Sequence, residues 1–182
     1  MLQSNLRYRS ATPFDAPRIA QLHARSWREN YRGAMTDTFL DQEARADRLA
    51  VWTRRFSDDD PRMRVLLAEE GKILVGFCCL YLDEEPEDGT LLDNLHVHAN
   101  YHGRGVGKQL MHWAAETVLA YDPAGKLYLW VLEQNTPARR VYAALGGHVG
   151  RCEHRGLPGT GPGGAPALAV HFDPRNLLER TR

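Results

Sequence analysis

Leu91–Met111, LLDNLHVHANYHGRGVGKQLM, is the stretch that decides the fold. Leu91 to His98 has strand character. Asn100 to Gly103 is a turn, with glycines at 103, 105 and 107, and a helix follows. Its predicted apolar face is Val106, Leu110, Trp113, Ala114, Thr117, Val118 and Tyr121, at helical spacing. Closely spaced glycines let a backbone approach an anion without Cβ clashes. The first helical turn adds unpaired N–H groups and the positive end of the helix dipole. Together they form a phosphate or pyrophosphate cradle. Two better-known phosphate motifs fail. A P-loop needs glycine where His102 stands and Ser or Thr where Gln109 stands. A dinucleotide fingerprint begun at Gly105 needs glycine where Leu110 stands.

Working outward, Asn5–Arg9 reads as a first strand. Thr12 and Pro13 read as the N-cap and first position of a helix carrying Ile19, Leu22, Ser26 and Trp27 at helical spacing. A second helix is expected from Thr36 to Phe56. Met63–Glu69 and Ile73–Leu82 read as a hairpin about Gly71-Lys72, followed by an acidic loop at 83–89. Leu127–Leu132 is a fifth strand. Asn135-Thr136-Pro137 opens a helix with Val141, Tyr142 and Leu145 on one side, closed by Gly146-Gly147. Strands at His148–His154 and Ala167–Phe172 flank a Gly/Pro-rich loop. The order βααβββαβαββ predicts an α/β fold with a mixed sheet. One domain is expected, with its core over about 5–173 and a short C-terminal tail at 174–182.

Composition narrows the function classes. The chain has 182 residues, with 23 Lys plus Arg against 23 Asp plus Glu, so its formal net charge is zero. No basic excess or stripe marks a nucleic-acid binder, and no nucleic-acid partner is expected. No window approaches the ~18 apolar residues of a membrane span, and the start has no apolar core of signal-peptide length. Cys78, Cys79 and Cys152 have no CxxC spacing, which points to free thiols, small buried hydrophobes and a reducing cytoplasm.

The segment LHVHANYHGRGVGKQL resembles the cofactor motif of the GNAT superfamily, the acyl-CoA-dependent N-acyltransferases. Gly105 and Gly107 match its two glycines, and Leu95 and Val97 match its strand pattern. His102 stands where Gln or Arg is usual, a departure that weakens one side-chain contact and leaves the backbone cradle intact. WVLEQNTPARRVYAALGG resembles the second signature, and LHARSWRENYRG a frequent first-helix pattern. The resemblance spans Arg7 to Phe172. It implies a GNAT-like, mostly antiparallel, splayed sheet flanked by helices. It also implies acetyl-CoA as co-substrate with no metal: Leu95, His96 and Val97 line the pantetheine arm, and the run His102, Gly103, Arg104, Gly105, Val106, Gly107, Lys108 takes the pyrophosphate. Arg104 and Lys108 read equally as solvated cations.

By the same resemblance Asn135 contacts the cofactor and Tyr142 is the general acid at the thioester sulfur. From the residues alone, Asn135 is a helix N-cap and Tyr142 a packing residue, two turns apart on one side. In a regular strand Leu91, Asp93, Leu95 and Val97 share a face, a parity that the bulge the resemblance implies as frequent in this strand would break. Asp93 then reads either as a lone carboxylate among apolar neighbours, fit to be a base, or as a structural Asp bonded to backbone or a nearby cation. His96 and His98 lack further zinc ligands and read as polar strand residues. Trp27 and Tyr31 line the acceptor pocket or simply pack together. The expected reaction is acetyl transfer to a primary amine, small-molecule or peptide, by direct attack, with Asp93 or a water chain as base. A non-catalytic acyl-CoA-binding module, another acyl group or an O-acceptor are the alternatives, and a homodimer is left open. The acidic run Asp83, Glu84, Glu85, Glu87 and Asp88 reads as a solvated loop or as a steering field for a cationic amine.

Overall fold

The computed structural model describes residues 6–182, so Asn5 lies outside the described residues. Strand β1 (Leu6–Ser10) leads into a 3-10 turn at Pro13–Asp15 and helix α1 (Ala16–Asn30). Thr12 and Asp15 form a capping box. Asp15 also binds the Arg9 guanidinium through both oxygens, at 2.8 and 2.7 Å. A π-turn (Phe39–Glu43) runs into α2 (Ala44–Asp58), so the second helix is not regular from Thr36. The strands β2 (Met63–Glu70), β3 (Ile73–Glu85) and β4 (Gly89–Val97) form an antiparallel meander. Then come α3 (Val106–Tyr121), β5 (Leu127–Leu132), α4 (Thr136–Ala144), β6 (His148–Arg155), β7 (Ala165–Phe172) and α5 (Pro174–Thr181).

The seven strands form one sheet in the order β1-β2-β3-β4-β5-β7-β6. Every neighbouring pair is antiparallel except β4–β5, which is parallel. The expected element order therefore holds, with one helix added. Residues 174–182, read as a tail, form α5, whose Leu177 is fully buried in the core against α3.

Alternation within the strands divides the core. Leu66, Ala68, Cys78 and Leu80 face α3, while Val65, Leu67, Phe77 and Cys79 face α1 and α2. The neighbouring cysteines thus point to opposite faces as buried free thiols. On α3 the buried stripe is Val106, Leu110, Met111, Ala114, Ala115 and Val118. Tyr121, expected on that face, is 56% exposed, beyond Val118, where the buried stripe ends.

β4 and β5 pair only at Thr90↔Leu127 and Leu91↔Tyr128. Beyond that point β5 stays paired to β7 along its whole length, Leu127↔Phe172 to Leu132↔Ala167, and β4 stays paired to β3 as far as Val97. The sheet opens between them like a V, which is the splay that the family resemblance implies.

Candidate functional site

A cleft of about 680 Å³ fills this V. Its walls come from β4, β5, α4, the N-terminus of α3 and one side of α1 and α2.

The α3 end is built by glycine. Gly105 is the N-cap residue at φ +82°, and Gly103 has φ +75°. Left-handed backbone favours glycine at both. Nothing lies within 4 Å of where a Cβ would stand at either position, so the loop faces open space. The N–H groups of Val106, Gly107 and Lys108 have no backbone acceptor among the described residues, as the first helical turn requires. These amides, gathered at one helix start, suit the charge and size of a pyrophosphate. His102, Gly103, Gly105, Val106, Gly107 and Lys108 all line the cleft. Arg104 does not. It stacks over the Tyr101 ring at 4.8 Å. Lys108 Nζ donates to the Arg182 carbonyl at 2.7 Å, and His102 Nε2 lies 2.9 Å from the Val97 carbonyl oxygen.

Leu95, His96 and Val97 form the β4 wall. Leu95 and Val97 pack against the α3 core. The His96 ring turns the other way, with Nδ1 2.8 Å from Ser26 Oγ, beside His23 and Phe77. Burial holds His96 down to about 3, so it is a neutral imidazole. His98 also leans on α1, its Nε2 accepting from Arg25 Nη1 at 2.8 Å.

Asp93 is placed differently from the parity expected of a regular strand. The register runs Cys79↔Asn94 and then Leu80↔Leu92, which leaves Asp93 as the extra residue of a β-bulge. A bulge puts two successive side chains on one side. Asp93 and Asn94 accordingly both reach Arg55 of α2. Arg55 Nη2 lies 2.7 Å from Asp93 Oδ2, and Nη1 donates to Asn94 Oδ1 at 2.8 Å. Asp93 is therefore not a lone carboxylate on the Leu95–Val97 face. It is ion-paired on the α2 side and lines the cleft.

Asn135 is the helix N-cap read from the residues alone. It caps α4, its Oδ1 accepting from Ala138 N at 3.2 Å, and it lines the cleft. Tyr142, two turns on, also lines it. The Tyr142 ring packs edge-on against Phe172, centroids 6.2 Å apart. Its hydroxyl has no hydrogen-bond partner among the described residues, and burial raises its pKa well above that of a free phenol. Tyr142 thus carries its proton at neutral pH on the cleft wall. Val141 and Leu145, expected on the same side, line the cleft with it, Val141 at 54% exposure.

Trp27 and Tyr31 stack at 5.7 Å and 20° on the cleft wall. Burial pushes Tyr31 up to about 12. Sequence reasoning missed Arg48 and Arg55, seven residues apart on α2, which also line the cleft. The available signal was R-x3-W-x2-R, which sets Arg48, Trp52 and Arg55 on one helix face. The acidic hairpin lines none of it. Glu84 binds Arg62 at 2.8 Å, and Asp88 is buried between Arg151 and His171.

Among the described residues, no helix is long and apolar enough to cross a membrane. The acetyltransferase (GNAT) family matches residues 16–146. A probable N-acetyltransferase of Mycobacterium tuberculosis is 26% identical over 152 residues, covering 82% of this chain and 83% of its own. In fold, the chain is similar to the PaiA N-acetyltransferase of Thermoplasma acidophilum, solved in complex with coenzyme A. The TM-score is 0.67 at 19% identity, over 92% of this chain and 99% of that one. It is also similar to a mutant spermidine N-acetyltransferase, SpeG, of Vibrio cholerae. There the TM-score is 0.66 at 19% identity, over 99% and 100% of the two chains.

Proposed function

The chain belongs to the acetyltransferase (GNAT) family and is an acyltransferase, and on that premise we propose that it moves an acetyl group from acetyl-CoA to a primary amine by direct attack. The observation that carries this reading is the V between β4 and β5, paired at only two positions. It puts unpaired α3 amides at one end of a cleft and the free Tyr142 hydroxyl in its wall.

In this reading Val106, Gly107 and Lys108 hold the pyrophosphate through N–H groups, and β4 from Leu95 to Val97 lies along the pantetheine arm. Acetyl-CoA supplies a thioester carbonyl open to attack. An alkylammonium with a pKa near ~10 must first lose a proton. Asp93 takes that proton, directly or through a water, and passes it to solvent. β4 N–H groups beside the carbonyl polarise it. Tyr142 gives its proton to the departing sulfur, and the second amine proton, released as the amide forms, restores the phenol.

The experiment is thermal stability with and without acetyl-CoA, joined to a free-thiol release screen over amines. Binding of CoA followed by amine-dependent thiol release supports transfer. Binding without release for any amine supports a non-catalytic acyl-CoA-binding module, and absence of binding removes the reading altogether.

A further inference from the structure

The acceptor side of the cleft is lined by three arginines, Arg48, Arg55 and Arg155, against one carboxylate, Asp93. Arg55 is already engaged, and Arg155, which donates no hydrogen bond among the described residues, is 42% exposed to solvent. Arg55 is held by Asp93 and Asn94. Arg155 stacks over Trp130 at 4.4 Å and lies 3.7 Å from Glu153. Arg48 is different. Its Nε and Nη2 both donate to the single oxygen Asp47 Oδ2, at 2.8 and 2.5 Å. Its guanidinium carbon lies over the Trp27 ring, 4.2 Å from the centroid. Nη1 donates to nothing among the described residues. The side chain is only 8% exposed, yet it borders the cleft. Nη1 is not among the buried atoms that lack a partner, so it reaches the cleft, where an acceptor can meet it.

Asp93 is the complementary half. Its Oδ2 is buried against Arg55, whereas the side chain as a whole is 27% exposed. Oδ1 has no hydrogen-bond partner among the described residues. The cleft therefore offers an open carboxylate oxygen and an open guanidinium N–H on neighbouring walls. Burial depresses Arg48, while Asp93 is close enough to act on it in the opposite sense.

We propose that the acceptor is a free amino acid, its carboxylate taken by Arg48 Nη1 and its ammonium by Asp93 Oδ1. The inference rests on the acetyl-transfer reading above and names its substrate class. The Trp27 and Tyr31 rings, which stack beside Arg48, form the apolar wall that the side chain or carbon chain meets. A polycation is the poor match. It would face three arginines, and the acidic hairpin, whose charge would attract it, lies outside the cleft.

The test compares three matched series with acetyl-CoA: free amino acids, the amines left by their decarboxylation, and their carboxamides, with spermidine as polycationic control. N-acetyl products are read by mass spectrometry and rates by thiol release. At least one free amino acid should exceed its decarboxylated and amidated partners in kcat/KM by about tenfold to a hundredfold, the span of a charge-assisted hydrogen bond. Arg48→Met should remove that preference through KM, and Arg48→Lys, which keeps the charge, should restore part of it. Retained CoA-induced stabilisation in both variants shows that they fold. Equal rates for acids and their decarboxylated amines, faster turnover of spermidine than of every amino acid, or no amino acid acetylated while CoA still binds would overturn the inference and leave the acetyl-transfer reading standing. Absence of CoA binding by the wild type would instead overturn that reading, and this inference with it.

Discussion

Gly105→Val tests the helix-start cradle against a control the fold itself provides. Gly105 and Gly71 both have left-handed backbone, φ +82° and +60°, and at both an added Cβ meets nothing within 4 Å. Substitution at either site costs backbone strain and no clash. Left-handed strain for a non-glycine residue is about 1–3 kcal/mol. For a chain of this size each kcal/mol lowers Tm by about 2–4 °C. The two variants should therefore lose similar apo stability. Gly71 sits in the β2–β3 turn, outside the cleft lining, whereas Gly105 borders it. A ligand at about 100 times its Kd adds about 2.7 kcal/mol, or roughly 5–11 °C by the same conversion. Wild type and Gly71→Val should show this stabilisation with acetyl-CoA in differential scanning fluorimetry, and Gly105→Val should lose most of it. A full acetyl-CoA shift in Gly105→Val would refute the cradle.

Three further outcomes follow from the same geometry. Tyr142→Phe should lower kcat by about 10²-fold, the low end for a positioned general acid, with little change in KM. An unchanged kcat, with chemistry shown to limit the rate, would return Tyr142 to a packing role. Burial holds His96 down to about 3 and His23 well below the usual histidine value, while both titrate near ~6.5 when unfolded. Below that pH the unfolded chain takes up protons that the native chain refuses. Their contribution is thus complete above about 6.5 and is lost as pH falls toward 3, at about 1.4 kcal/mol per pH unit for each histidine. Urea titrations between pH 7.5 and 5 should show the slope, and His96→Gln should flatten it by about one proton; an unchanged slope contradicts the assignment. Arg55→Met leaves Asp93 and Asn94 without their shared partner and should cost about 2–4 kcal/mol. A double-mutant cycle with Asp93→Asn should give a coupling well above ~0.5 kcal/mol, and near-additivity would mean the pair contributes nothing.

Much of the fold was legible because it rests on local rules. β5 lies at Leu127–Leu132 as read, since an apolar aromatic run bounded by turn residues has few alternatives. α3 begins at Val106 because the glycines stop the strand and the periodicity starts there. The bulge at Asp93 was not legible in the residue pattern, although the family resemblance allowed for one in this strand. A single extra residue leaves the hydrophobic pattern almost unchanged while moving a carboxylate to the opposite side of the sheet. The arginines of α2 were hidden for a different reason. A cation stacked on a buried tryptophan has the same sequence pattern as one on a solvated helix face. α5 escaped notice because eight residues carry too few turns for a periodic signal.

The central claim is that the opening between β4 and β5 is the acyl-CoA site, and the position of bound coenzyme A in a crystal of the complex tests it most directly. The pyrophosphate should lie within hydrogen-bond distance of the Val106, Gly107 and Lys108 amides, the pantetheine arm along Leu95–Val97, and the sulfur should face the Tyr142 hydroxyl. Coenzyme A bound on another face, or seated in the cleft with its sulfur turned away from Tyr142, would contradict it.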